Sequence, residues 1–346
     1  MIRIGIVGAG ATVSIAHYHA LGYLNDDRCK IVSVFDIDKN NAQKFVEAHN
    51  LDAIIADSYD ELLSCVDAVS ICTPNAFHFE YASVALKKGK HILLEKPMGI
   101  TRKECEILAK EARKTSTVNA VGLVYRFSNP IIEARKIIKE KFTAVYTISG
   151  WFGGKRIADP ALPFEWRMDK SKSGTGALGD FVSHLADISY FITGKKIDSV
   201  SAFSNIFIKE RPFLDGMRKV ENDDATVLIA KAGETLLEFT VSRVGMDDVM
   251  LVITGDGGMI NLSLRNGGAL LYWPKEKEGA YNGNCIQCGV ELQPAMEDWF
   301  YKEISAFLDS IEHKESDIAS FADGCYVEAV IDASYKSSLS KKEEFV

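Results

Sequence analysis

Three side chains in this chain of 346 residues have the types and the setting to move a proton to or from a carbinol: Lys96, Asp180 and His184. Asp180 and His184 are spaced i, i+4 in a helical pattern, so the carboxylate can orient the imidazole and favour its protonated form. Oxidising a carbinol needs a base for the hydroxyl proton while hydride leaves carbon. A histidine titrating near neutrality serves in both directions. Lys96 lies in Glu95-Lys96-Pro97, directly after the apolar run Ile92-Leu93-Leu94. Ligands of an open parallel sheet bind outside the carboxyl ends of its strands, which puts Lys96 where a cofactor's reactive ring would lie. Pro97 disfavours helical geometry in the residue before it and keeps Lys96 extended.

The elements that must position these groups fall into two grammars. Residues 1–122 alternate strand and helix patterns, with strands expected at 2–7, 31–36, 53–56, 68–72, 91–94 and 118–123, all short and rich in Val and Ile. That is the signature of a doubly wound parallel sheet buried on both faces. Ser58 with Glu61 and Thr101 with Glu104 read as capping boxes at two helix starts. Residues 123–346 turn β-rich, at 144–152, 199–208, 225–232, 235–244, 249–255 and 259–264. Ala232-Gly233-Glu234 and Asp256-Gly257-Gly258 read as hairpin turns, so a second α/β domain with a large, mainly antiparallel open sheet is expected. A late helix carrying Phe300, Ile304, Phe307 and Ile311 is expected to pack on that sheet.

Around Asp180 the chain passes from the glycine-rich turn Gly174-Thr175-Gly176-Ala177-Leu178-Gly179 into a helix expected to run to about Phe191. At 100° per residue, Phe181, Leu185, Ile188 and Ile192 form one stripe, and Asp180, His184 and Asp187 form another. The first stripe should pack and the second should face a cleft.

Gly8-Ala9-Gly10 follows the first strand and precedes a helix, where glycine lets the backbone approach a pyrophosphate at a helix amino end. Gly8, Gly10, Ala11, Thr12 and Val13 are therefore the expected phosphate-binding turn. Val13 stands where a third glycine is usual, and a turn one residue longer would use Ser14 as its small residue. Asp36 ends the second strand 26 residues after Gly10, near the distance expected for the acid that binds an adenosine ribose. Its carboxylate would repel a 2′-phosphate at a cost on the order of a few kcal/mol, so NAD is expected over NADP. A loop-initiating aspartate is the alternative reading. Thr73, Pro74, Asn75 and His78 stand at the end of the fourth strand and are candidate ribose or nicotinamide contacts; a proline turn with a helix cap is the other reading. Glu95 is a further expected cofactor contact.

A net charge of -8 argues against nucleic acid or an anionic membrane as partner. With 47% hydrophobic and 25% charged residues the composition is that of a globular protein with a sizeable core. No apolar run reaches a membrane span, and Met1-Ile2-Arg3-Ile4-Gly5 leads straight into a strand, so a cytoplasmic location is expected. Seven scattered cysteines suit reduced thiols. Cys285-Ile286-Gln287-Cys288 lacks the second ligand pair of a zinc site and reads as an ordinary loop, and no metal is expected.

Taken together, Gly8-Ala9-Gly10, Asp36, Cys72-Thr73-Pro74-Asn75 with His78, Glu95-Lys96-Pro97, Tyr125-Arg126-Phe127, and Gly176-Ala177-Leu178-Gly179-Asp180 with His184 and Asp187 resemble the Gfo/Idh/MocA oxidoreductases in order and spacing. This family includes glucose-fructose oxidoreductase and inositol dehydrogenase. The resemblance implies a Rossmann domain, a second domain whose open sheet serves homodimer or homotetramer contacts, and a cis Lys96-Pro97 bond. It implies hydride transfer between NAD and a ring hydroxyl of a sugar or cyclitol. His184 would transfer the proton, Asp180 would be its partner and a substrate ligand, and Lys96 would bind the reacting hydroxyl. Trp166, Arg167, Tyr125 and Arg126 are further candidate substrate contacts, with packing or ion pairing as the alternative. Two competing readings are a glycosidase that uses tightly held NAD for transient oxidation, and a dinucleotide-binding regulator without catalysis.

Overall fold

The computed structural model describes residues 1–10, 15–265, 270–275, 286–287 and 296–346. The chain divides into two compact units, Met1–Phe127 with Ala295–Cys325, and Ser128–Pro294 with Tyr326–Val346.

The first unit alternates β1 (Ile2–Val7), α1 (Ile15–Leu24), β2 (Cys29–Phe35), α2 (Lys39–Ala48), β3 (Ile54–Ile55), α3 (Tyr59–Cys65), β4 (Ala68–Ile71), α4 (His78–Lys87), β5 (His91–Glu95), α5 (Arg102–Ala112) and β6 (Asn119–Gly122). The sheet order is β3-β2-β1-β4-β5-β6 and every pairing is parallel, as the sequence pattern predicts. Strands β1, β4 and β5 are buried on both faces because each lies between two neighbours and under helices. Ser58 and Thr101 cap α3 and α5 through the N–H groups of Glu61 and Glu104. The two glutamates reach back to the N–H of Asp57 and of Ile100, one residue earlier than a capping box requires.

The second unit contains α6 (Asn129–Lys141), β7 (Val145–Gly153), the single turn α7 (Lys170–Ser173), a π-helical turn at Leu178–Val182 that runs into α8 (Ser183–Thr193), and β8 (Ser199–Asn205). The hairpin β9 (Glu210–Phe213) and β10 (Gly216–Lys219) follows, then β11 (Ala225–Ala232), β12 (Thr235–Ser242), β13 (Val249–Gly255), β14 (Gly258–Ser263), β15 (Leu270–Pro274) and β16 (Ile286–Gln287). Beyond these lie α9 (Met296–Ile311), α10 (Phe321–Ser340) and β17 (Glu344–Phe345). The large sheet has the order β16-β15-β14-β13-β7-β12-β11-β8-β17. Both expected hairpins are present, and every pair is antiparallel except β12 with β7. That one parallel pair arises because β7 reaches β12 through a long connection and not a turn.

Two expectations change. Residues 295–325 belong with the first unit, and the division falls after Phe127 instead of after residue 122. The late helix α9 does not pack on the antiparallel sheet: Ile304, Phe307 and Leu308 complete the core formed by Ile4, Ile6, Ala16, Ala20 and Tyr23. Gly22 in α1 permits this approach, since a Cβ there would stand 2.6 Å from Ile304 Cγ1. The open sheet buries Leu228, Ala230, Leu237, Phe239, Leu251 and Ile253 on one face and leaves Phe203, Val227, Ile229 and Leu236 exposed on the other. No described helix is long and apolar enough to cross a membrane, and no disulfide joins the described cysteines. Cys285 and Cys288 lie outside the described residues.

Candidate active site

At the carboxyl edge of the parallel sheet, Gly8 and Gly10 have φ of 84° and 67°, conformations that side chains disfavour. A Cβ on Gly8 would also stand 2.8 Å from the Thr73 nitrogen and 2.9 Å from the Cys72 carbonyl, so β1 and β4 approach too closely for any other residue. The Asp36 carboxylate accepts from the Gly10 N–H at 3.2 Å and from the Asp38 N–H at 2.9 Å. It thereby joins the turn after β1 to the end of β2. The Thr73 hydroxyl is buried without a hydrogen-bond partner among the described residues. A glycine cradle that a Cβ would fill and an unsatisfied hydroxyl beside it fit a dinucleotide. Ala11, Thr12 and Val13, with Ser14, lie outside the described residues.

His78 does not stand open at this edge. It is fully buried, with Nδ1 2.7 Å from the Pro97 carbonyl and Nε2 2.8 Å from the Thr73 carbonyl, so it ties the loop after β5 to the end of β4. Burial pulls its pKa below the usual 6.5, against the pull of the two carbonyls. A neutral imidazole donates to only one of them at a time. Lys96 is half-buried, and its bond to Pro97 is cis.

Glu95 is 6% exposed and its carboxylate is engaged inside the unit. One oxygen lies 2.9 Å from His19 Nε2, and the other accepts from the Lys96 N–H at 3.2 Å. Tyr125 and Arg126 are buried as well: Tyr125 packs on Trp299 with ring centroids 5.2 Å apart, and Arg126 lies 3.6 Å from Asp323.

The second unit assembles its own group of candidate residues. The Asp223 carboxylate, which sequence reasoning missed, accepts from the N–H groups of Gly176 (2.7 Å) and Leu178 (2.8 Å) and from the Thr226 hydroxyl (3.0 Å). Gly176 has no room for a side chain, because a Cβ would lie 1.9 Å from the Asp223 carbonyl oxygen and 2.8 Å from Arg243 Nη2. The chain then winds through the π turn, which carries Asp180, into α8, which carries His184. A π turn advances the chain by less than 100° per residue, so Asp180 and Phe181 fall out of phase with the stripes expected to continue through His184 and Asp187 and through Leu185, Ile188 and Ile192 of α8. Ser183 to Ser189 are all buried, His184 and Asp187 included. The His184 ring stacks on Phe152 at 5.5 Å and 20°, and Phe152 stacks on Phe181 at 4.5 Å and 9°.

Asp180 has charged company. The Arg156 pKa is raised by its hydrogen bonds to Glu165 and, more weakly, by the charge of Asp180. Burial alone would lift the Glu165 carboxyl, but the Arg156 hydrogen bonds and the charges of Arg156, Arg167 and Arg243 hold it below its ordinary 4.5. Arg167 places its guanidinium over the half-exposed ring of Trp166, 4.4 Å from the centroid. The Arg167 carbonyl is held by Asn222 Nδ2 at 2.9 Å and Arg243 Nη1 at 3.1 Å. Among the described residues no group of His, Cys, Asp or Glu side chains is arranged to hold a metal ion.

A Rossmann unit with a glycine cradle, joined in one chain to a unit built on a large open sheet, defines a dinucleotide-binding α/β protein. Residues 2–123 match the oxidoreductase family with the NAD-binding Rossmann fold, residues 131–261 match the GFO/IDH/MocA C-terminal domain, and the chain belongs to that family. It is 33% identical over 215 residues to glucose-6-phosphate 3-dehydrogenase of Bacillus subtilis, covering 61% of this chain and 60% of that enzyme. It is 34% identical over 152 residues to levoglucosan dehydrogenase of Pseudarthrobacter phenanthrenivorans, covering 44% of this chain and 39% of that enzyme. The chain thus spans less than two thirds of either relative. An oxidoreductase domain protein from Kribbella flavida superposes with a TM-score of 0.90 at 27% identity over 100% of both chains. A levoglucosan dehydrogenase in complex with NADH and L-sorbose shares the fold, with a TM-score of 0.91 at 22% identity over 100% of this chain and 98% of that one. NAD is the cofactor of this family's first domain, the cofactor expected from the sequence.

Proposed function

We propose that the chain is an NAD-dependent dehydrogenase that oxidises a ring hydroxyl of a sugar or cyclitol, or reduces the corresponding ketone. Lys96 carries this reading: a half-buried lysine at the carboxyl edge of a dinucleotide-binding sheet, its backbone fixed through Glu95. Gly8, Gly10, Asp36 and Thr73 would hold the cofactor, which when bound supplies the hydride acceptor. Lys96 would hydrogen-bond the reacting hydroxyl and hold its oxygen as charge builds there. His184 would take the hydroxyl proton, with Asp180 orienting the ring and binding substrate. Trp166 and Arg167 would line the polyol pocket. The buried placement of Tyr125 and Arg126 favours their packing role.

Relatives whose names specify a position, glucose-6-phosphate 3-dehydrogenase and the D-glucoside 3-dehydrogenase of Escherichia coli, put the C3 hydroxyl of a pyranose first among candidates. The exposed apolar face bearing Phe203, Ile229 and Leu236 supports assembly as a homodimer or homotetramer. The test is incubation with NAD or NADP and a panel of glucose 6-phosphate, glucosides, levoglucosan and inositols, following reduced nicotinamide at 340 nm on the order of minutes. Release of chromophore from aryl glycosides without net reduction would establish the glycosidase reading instead. Normal turnover by both Lys96→Ala and His184→Ala would overturn the assignment of residues.

A further inference from the structure

We infer that Glu95 and His19 act through Lys96 as positioning residues, and that the Glu95 carboxylate serves the lysine's backbone and not the cofactor. This inference rests on the reading of Lys96 given above. Four buried groups from three elements form a single chain of hydrogen bonds. Tyr23 Oη lies 2.7 Å from Ser70 Oγ, Ser70 Oγ 3.1 Å from His19 Nδ1, and His19 Nε2 2.9 Å from Glu95 Oε1. Glu95 Oε2 then accepts from the Lys96 N–H at 3.2 Å.

One direction of donation satisfies every hydrogen. Tyr23 donates to Ser70, Ser70 donates to Nδ1 of a neutral His19, and Nε2–H donates to the carboxylate. The start of the chain is secure, because burial raises the Tyr23 phenol well above its usual 10.0 and keeps its proton in place. The carboxylate also has a prepared space. Gly122 is the partner of Glu95 across the β5–β6 pair, and a Cβ there would lie 2.7 Å from Glu95 Oε1. On the far side of Lys96, His78 holds the Pro97 carbonyl at 2.7 Å. The lysine backbone is therefore gripped at its own N–H by Glu95 of β5, itself anchored from α1 and β4, and at the next carbonyl by His78 of α4. A carboxylate with one oxygen on His19 and the other on Lys96, in a residue 6% exposed, is oriented toward the protein.

The experiment is a double-mutant cycle on the full chain with Glu95→Ala, Lys96→Ala and the pair, in parallel with Glu95→Gln and His19→Asn. Turnover is read with the panel sugar of highest activity, and NADH affinity by fluorescence titration. Displacing the lysine by a fraction of an ångström should lower kcat about ten- to a hundredfold in Glu95→Ala, with NADH affinity kept within about threefold. Glu95→Ala should add nothing in the Lys96→Ala background. Glu95→Gln, which keeps an acceptor for the Lys96 N–H but turns an NH2 toward His19 Nε2, should restore part of kcat. His19→Asn, which leaves Glu95 in place and removes its anchor, should lower kcat without loss of NADH affinity, and it tests the relay even where Glu95→Ala fails to fold. NADH affinity falling in step with kcat/KM would overturn the inference by making Glu95 a cofactor ligand. An equal loss on adding Glu95→Ala to Lys96→Ala would overturn it by showing independence. Full turnover by Lys96→Ala alone would remove the reading of Lys96 itself, an outcome the cycle distinguishes from the other two.

Discussion

The carboxylate of Asp36 accepts a hydrogen bond from the Gly10 N–H at 3.2 Å, so the acid expected to read the ribose also holds the glycine turn after β1 in shape. Its charge and its acceptor oxygen can be separated by mutation. Asp36→Asn keeps an acceptor for Gly10 and removes the charge that repels a 2′-phosphate, so NADP use should rise relative to NAD by about a hundredfold or more, one charge interaction of a few kcal/mol at intermediate dielectric. Asp36→Ala should weaken both cofactors, and NAD more than NADP. Unchanged kcat/KM ratios for the two cofactors in both variants would remove Asp36 from cofactor choice.

Gly8 tests the cradle without touching a polar group. With φ at 84° and backbone atoms of Cys72 and Thr73 within 2.9 Å of any Cβ, Gly8→Ala must push β1 and β4 apart at their carboxyl ends. NADH affinity should fall by about two orders of magnitude or more, given about 1–3 kcal/mol of backbone strain added to the displaced contacts. Calorimetric titration would measure it, and NADH binding at wild-type strength would show that the dinucleotide sits elsewhere.

Much of this edge is legible in the sequence because parallel strands buried on both faces write short runs of Val and Ile, and glycine or aspartate at their ends marks the turns. The roles of the histidines are not legible. His78 and His19 take their partners from β4 and β5, and nothing local in α4 or α1 says which carbonyl or carboxylate will lie opposite. The destination of α9 is hidden for the same reason: the stripe of Phe300, Ile304 and Phe307 declares a buried face without naming its partner. Asp180 and Phe181 leave their expected stripes for a different cause, since the wheel assumes 100° per residue and the π turn at Leu178–Val182 breaks that phase just where they sit. Asp223 escapes notice because its partners, the N–H groups of Gly176 and Leu178, are backbone and leave no mark in composition.

Two histidines of the first unit give its stability a pH dependence of known sign. Burial holds the imidazoles of His78 and His91 below the usual 6.5, and His91 Nδ1 accepts from the Val118 N–H at 3.0 Å, which requires that nitrogen to be unprotonated. The unfolded chain takes up protons near pH 6.5 that the folded chain refuses until lower pH, so stability is full above this range and falls as pH drops through it. Denaturant melts at several pH values should show the midpoint falling on the acid side. The slope should flatten in His78→Gln and again on adding His91→Gln, and a slope indifferent to both substitutions would sink the attribution.

The glycine turn ahead of Asp180 should be equally intolerant of change. Gly176→Ala would place a methyl group 1.9 Å from the Asp223 carbonyl oxygen, and Asp223→Ala would leave the Gly176 and Leu178 N–H groups without their acceptor. Each hydrogen bond to that carboxylate is worth about 1.5–3 kcal/mol, so Asp223→Ala should destabilise the chain by several times thermal energy and displace the π turn. Asp223→Asn, which can accept only one of the two bonds, should fall between. Turnover should drop in all three variants before global unfolding is seen, with NADH affinity preserved because the cradle lies in the first unit. Loss of NADH binding at the same rate as turnover would show instead that these substitutions act by unfolding the whole chain.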